Sequence, residues 1–163
     1  MTLATHAVIA AAVAKPAIAI HPLLGFVVAF ASHYFADAIP HGDYNLRSLK
    51  DDEPAEKRKF SSRSDFLYDL WRIAFDGILG AAIVLAIFRP ASLEELLTWF
   101  SVILGGMLPD LLQGIYYTRR AEFLRPVQVF HDYMHTKIKL GPYPLVGVPM
   151  QAAIFLFFLS TIT

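Results

Sequence analysis

The 163-residue chain has no cysteine, which excludes disulfides, thiolate nucleophiles and thiolate metal ligands. Charge is scarce as well. Fourteen basic residues balance fourteen acidic ones, and charged residues make up 17% of the chain. No global basic field is present to hold nucleic acid, so nucleic acid is not an expected partner. The opening Met1-Thr2-Leu3-Ala4-Thr5-His6 lacks a basic n-region, so no removable signal peptide is expected. There is no internal repeat and no low-complexity tract.

Apolar residues are what the chain has in excess, at 56% with a mean hydropathy of +0.48. They fall into helical runs divided by proline and charge. Residues 2 to 14 are rich in Ala, Val and Ile but cover only about 20 Å, short for a full span. Lys15-Pro16 is expected to end or kink this run, and residues 17 to 38 are long enough to cross. Residues 39 to 64 form a polar, charged loop. Ser62-Arg63-Ser64-Asp65 can cap a third helix that reaches about Phe88, with Asp65 and Asp69 at its solvated start. Arg89-Pro90 stops it, and Ser92-Leu93-Glu94-Glu95 reads as a capping box for a fourth helix to about Tyr117, kinked at Pro109. Val127, Phe130, Met134 and Ile138 give residues 126 to 138 the period of an amphipathic interfacial helix. A last apolar helix covers about 148 to 162. The expected fold is all-α: one integral-membrane bundle over residues 1–163, with about four to five membrane helices plus the interfacial one.

Basic residues set the expected orientation. Residues 39 to 64 and 118 to 142 carry eleven of the fourteen Lys and Arg residues in named form, while the opposite connections hold only Lys15 and Arg89. By the positive-inside rule both basic loops face the cytoplasm, which implies an inner (plasma) membrane protein. The polar residues of the apolar helices then fall near that same face. His6 lies at the start of the first helix, His33 and Asp37 at the end of the second, and Asp110 about two turns before the end of the fourth. His131 and His135 lie on the interfacial helix. Only His21 falls on the other side.

His33 and Asp37 stand four apart on one helical face, as do His131 and His135, the spacing at which two side chains share a metal. His41 and Asp43 follow Pro40, where the chain can fold back to the same face. With His6 and Asp110 these residues form a candidate site for a divalent ion, zinc before manganese, iron or magnesium. Asp76 and Asp43 are the candidate catalytic carboxylates. For Asp76 a structural alternative stands beside this one: an ion pair with Arg72, one turn earlier.

Together, Thr5-His6, Ser32-His33-Tyr34-Phe35-Ala36-Asp37, Leu108-Pro109-Asp110 and His131-Asp132-Tyr133-Met134-His135-Thr136 resemble the motifs of bacterial inner-membrane metal-dependent hydrolases. The motif order differs, with the S-H-x-x-x-D segment second here, and Leu111-Leu112-Gln113 follow Asp110 where that family carries further ligands. The resemblance implies a divalent metal and hydrolysis. The expected function is hydrolysis of an ester or phosphoester, possibly lipid-linked, at the cytoplasmic membrane face. Membrane lipid is the expected partner. The alternative is a non-catalytic metal-binding or accessory subunit of a membrane complex.

Overall fold

The computed structural model describes residues 1–49, 62–119 and 121–163. The middle of the polar loop expected over residues 39 to 64 therefore lies outside the described residues. Among those described, the chain is all-helical: α1 (Leu3–Ile18), α2 (Pro22–Asp37), α3 (Arg63–Phe88), α4 (Leu93–Arg119), a 3-10 turn (Glu122–Leu124), α5 (Arg125–Met134) and α6 (Pro144–Ser160).

The two long helices begin where local chemistry dictates. Ser62 Oγ accepts from Asp65 N at 3.1 Å to open α3. At α4, Ser92 Oγ accepts from Glu95 N at 3.1 Å while Glu95 Oε2 accepts from Ala91 N at 2.8 Å, a reciprocal capping box. Arg89, at φ 45°, turns left-handed to end α3.

Other boundaries depart from the sequence reading. Helix α1 continues through Pro16 to Ile18, because a proline this near a C-terminus removes only one hydrogen bond. The carbonyl of Ala17 then closes the turn, accepting from Ile20 N and His21 N. Helix α6 starts at Pro144, which suits a first-turn position, and passes through Pro149. Helix α5 stops at Met134 rather than 138. Beyond it, Thr136 N donates to the Asp37 carbonyl at 2.7 Å and Leu140 N to the His41 carbonyl at 3.2 Å. Those backbone groups are committed to the end of α2 and the segment after it, so they cannot extend the helix.

Helix α1 is the centre of the bundle, packed by α2, α3, α4 and α6. Its Ala7, Ala10, Ala11 and Ala14 are fully buried, and small residues let backbones approach closely. A Cβ on Gly80 of α3 would stand 2.5 Å from Ala4 Cα, and one on Gly106 of α4 would stand 2.6 Å from Ala10 Cβ. Two helices, α3 and α4, are long and apolar enough to cross a membrane, whereas α1 and α6 are shorter apolar helices. Among the described residues two helices thus meet the length, and the four to five spans expected from sequence are not shown. The outer face of α3 leaves Leu67, Trp71, Phe75 and Ile78 exposed.

The alternation of direction puts the start of α1, the end of α2, the start of α3, the end of α4 and the start of α6 at one end of the bundle. Helix α5 lies against α2 and α4.

Candidate metal centre

At that end the histidines and aspartates converge. Asp37, in the last turn of α2, is 1% exposed and stands at the focus. Its Oδ2 lies 3.2 Å from His33 Nε2, one turn earlier, and 3.2 Å from His131 Nε2 on α5. Asp110 of α4 brings Oδ1 to 3.7 Å from His33 Nε2 and 3.9 Å from His131 Nε2. The ligating atoms of His33, Asp37, Asp110 and His131 all lie within 4.8 Å of one another, so this buried group can hold a metal ion. Two imidazoles and two carboxylates match the ligand chemistry of zinc and also accept manganese or iron.

Second contacts orient these rings. His33 Nδ1 donates to the Gly106 carbonyl at 2.8 Å, which leaves Nε2 free to face the cluster. Gln113 Nε2 lies 3.1 Å from His131 Nδ1 and positions that ring. His6, in the first turn of α1, stacks on His33 with ring centroids 3.9 Å apart. Both of its nitrogens are buried without a hydrogen-bond partner, although Nε2 stands 3.1 Å from Asp37 Oδ1 and 4.0 Å from Asp110 Oδ2. A buried imidazole left unsatisfied costs free energy unless a ligand completes it, and this one faces the cluster.

A second group, Asp37, His41 and His135, has ligating atoms equally close together. His41 is fully buried, although its segment reads as polar loop, and its Nδ1 donates to the Ile39 carbonyl at 2.6 Å. Asp43 Oδ1 lies 2.8 Å from His41 Nε2. The Met1 amino nitrogen sits among these groups, 3.0 Å from Asp37 Oδ1, 2.7 Å from Asp43 Oδ1 and 2.7 Å from His41 Nε2. Burial alone would lower the pKa of that amine, but Asp37, Asp43 and Asp110 outweigh it and hold it above its ordinary value. Burial alone would likewise raise the Asp43 carboxyl. The His41 hydrogen bond and the amine's charge reverse this and keep Asp43 ionised, below the usual carboxylate range. Burial lowers the His135 imidazole, against the pull of Asp37 and Asp43, which keeps it neutral and able to ligate.

The expected His131/His135 pair is therefore split between the two close groups. Because α5 ends at Met134, His135 has extended backbone and its ring turns to His41 and Asp43, leaving His131 with His33.

Asp76 stands apart from both groups. Its Oδ2 accepts from Ala4 N at 2.8 Å and from the Tyr44 hydroxyl at 2.6 Å, and Tyr44 in turn accepts from Leu3 N at 2.9 Å. The carboxylate caps α1, where the helix dipole favours negative charge. Burial and Asp76 raise the Tyr44 pKa well above its ordinary value, so the hydroxyl stays a donor. Arg72, the partner considered for Asp76, instead donates to the Asn45 carbonyl and lies over the Tyr68 ring. Asp69 is buried rather than solvated, and accepts from Ser48 N and Ser48 Oγ at 2.8 and 2.7 Å. His21 caps α2 at the opposite end, accepting from Leu23 N.

Sequence reasoning missed Tyr44, Gln113 and the Gly106 carbonyl. Only the placement of Gln113 one turn after Asp110 carried any signal, since i and i+3 share a face.

A cavity of about 520 Å³ runs from this end between α3 and α6. Thr2, Asp43 and Gln151 line its polar end, and Leu79, Ile83, Phe155 and Leu156 its apolar length. Among the described residues α3 and α6 both pack on α1 but not on each other, which leaves the cavity open to the side.

Comparisons of the chain with family models, with curated proteins and with solved structures give no match.

Proposed function

We propose that the protein is a membrane-embedded, metal-dependent hydrolase acting on an ester or phosphoester of a lipid or lipid-linked compound at the cytoplasmic face. One observation carries this reading: four ligating groups from α2, α4 and α5 converge in a buried cluster at one end of an apolar helical bundle. A soluble enzyme has no reason to leave the apolar face of α3 uncovered, whereas lipid satisfies it. Arg47, Arg63, Arg119, Arg125, Lys137 and Lys139 all belong to the connections at the cluster's end, which under the positive-inside rule is cytoplasmic. The sequence resemblance to bacterial inner-membrane metal-dependent hydrolases points the same way.

The residues fit a divalent ion, zinc first. His33, Asp37, Asp110 and His131 would hold it, and His6 can complete the set. When bound, such an ion polarises the scissile group and lowers the pKa of water toward neutrality. The protein's own part is positional. Gly106 and Gln113 fix the two imidazoles, and Asp110, 23% exposed, leaves the cluster accessible from one side. Asp43, 37% exposed, lies at the junction of cluster and cavity, but the amine and His41 already engage its Oδ1, so it is better placed to anchor a bound group than to take a proton from water. Asp76, already accepting two hydrogen bonds, is better explained as a helix cap. The cavity's apolar length suits an acyl chain entering from the bilayer side, with the polar headgroup toward Asp43.

Detergent-purified protein should contain stoichiometric metal, and His33→Ala should remove most of it. The metal-loaded protein should release fatty acid or phosphate from ester or phosphoester lipids. Protein without metal overturns the whole reading. Metal without hydrolysis of either lipid class leaves a binding protein rather than an enzyme.

A further inference from the structure

The two oxygens of Asp37 face different partners, and from that we infer that the centre holds two ions, with Asp37 bridging them. The inference rests on the metal-site reading above and extends it. Oδ2 belongs to the His33 and His131 side, at 3.2 Å from each Nε2. Oδ1 belongs to the other side, 3.5 Å from His41 Nε2. Asp37 is the one residue common to the two groups whose ligating atoms lie within 4.8 Å of one another, His33/Asp37/Asp110/His131 and Asp37/His41/His135.

The second group is built as ligands are built. His41 Nδ1 donates to the Ile39 carbonyl at 2.6 Å and His135 Nδ1 to the Thr136 carbonyl at 3.2 Å. Both rings are thereby oriented with Nε2 facing inward, as His33 is by Gly106, and on His41 a bound ion would take the place of the Nε2 proton that meets Asp43. Asp43 supplies a fourth group, with Oδ1 2.8 Å from His41 Nε2 and Oδ2 3.6 Å from His135 Nε2. Independent support comes from a buried group left without a partner. The unpartnered nitrogens of His6 add a further donor beside Asp37 Oδ1. Paired ions of this kind clamp a substrate from two sides, the arrangement suited to in-line displacement at phosphorus. The phosphoester is therefore the substrate class this centre favours.

Metal counting on the detergent-purified full chain decides the matter. Wild type should hold about two ions per chain, and His135→Ala, a partly exposed site, should hold about one. Asp43→Asn tests the same pocket should His135→Ala misfold. Loaded with manganese, wild type should give the electron-spin spectrum of an interacting pair, and His135→Ala that of an isolated ion. One ion in wild type with an isolated spectrum, the Met1 amine holding the second pocket, overturns this inference but leaves the metallohydrolase reading intact. No ion at all overturns both.

Discussion

Replacing Gly106 with alanine perturbs the contact that seats α1 against α4 and, through it, the candidate centre. The new Cβ would stand 2.6 Å from Ala10 Cβ and 3.1 Å from the His6 carbonyl. Ordinary contact needs almost an ångström more. Neither obstacle can swing away, since one atom is bonded to the α1 backbone and the other belongs to it. The helices must separate, at a cost of about 1–3 kcal/mol for overpacking. Alanine returns about 0.5–1 kcal/mol of helix propensity. Gly114, on the same helix, supplies the control, because a Cβ there meets nothing within 4 Å. Gly114→Ala should therefore gain the propensity term alone. The propensity term cancels between the variants, so Gly106→Ala should be less stable than Gly114→Ala by about 1–3 kcal/mol. Unfolding of detergent-solubilised protein followed by the fluorescence of Trp71 and Trp99 measures this directly. Metal affinity should fall in Gly106→Ala only, since His6 rides on the displaced turn and the Gly106 carbonyl holds His33. Equal stabilities for the two variants would refute the close-packing argument.

Three further outcomes follow from the same contacts. Tyr44→Phe removes the hydroxyl shared by Asp76 and Leu3 N, and should cost about 1–3 kcal/mol in unfolding experiments while metal content stays at the wild-type level. Loss of metal without loss of stability would place Tyr44 in the site instead of at the α1 cap. Gln113→Leu leaves His131 Nδ1 without its partner, and should weaken metal binding about 10–100-fold in chelator titrations. Acid should release the metal reversibly, because protons compete for the imidazoles. Burial lowers the pKa of His135, so this ring stays neutral where an ordinary histidine begins to protonate, and metal bound at pH 8 should be lost only as acid overcomes that shift, as metal analysis after dialysis can show.

Much of the architecture was legible one turn at a time. The Ser62 and Ser92 caps start α3 and α4 where the sequence says they do, since a cap and its donor lie within three residues. The pairing of His33 with Asp37 is equally local: i and i+4 share a helical face whatever else the chain does. The convergence of His6, Asp110 and His131 at one end of the bundle followed from alternating helix direction.

Tertiary structure decided the rest, through contacts between residues far apart in the chain. The Thr136 amide bonds to the Asp37 carbonyl, ends α5 at Met134, and so sends His131 and His135 into different groups. The Asp76 carboxylate finds the start of α1 seventy-two residues away in preference to Arg72 one turn back, because a buried helix N-terminus offers amides that water does not reach. His41 is buried by the fold-back of a segment whose composition is that of a loop. Local sequence thus determined which helices form and which side chains share a face. Which oxygen of Asp37 each histidine meets depends on how four helices pack around α1 and α5 against two of them, and no single-turn signal encodes that.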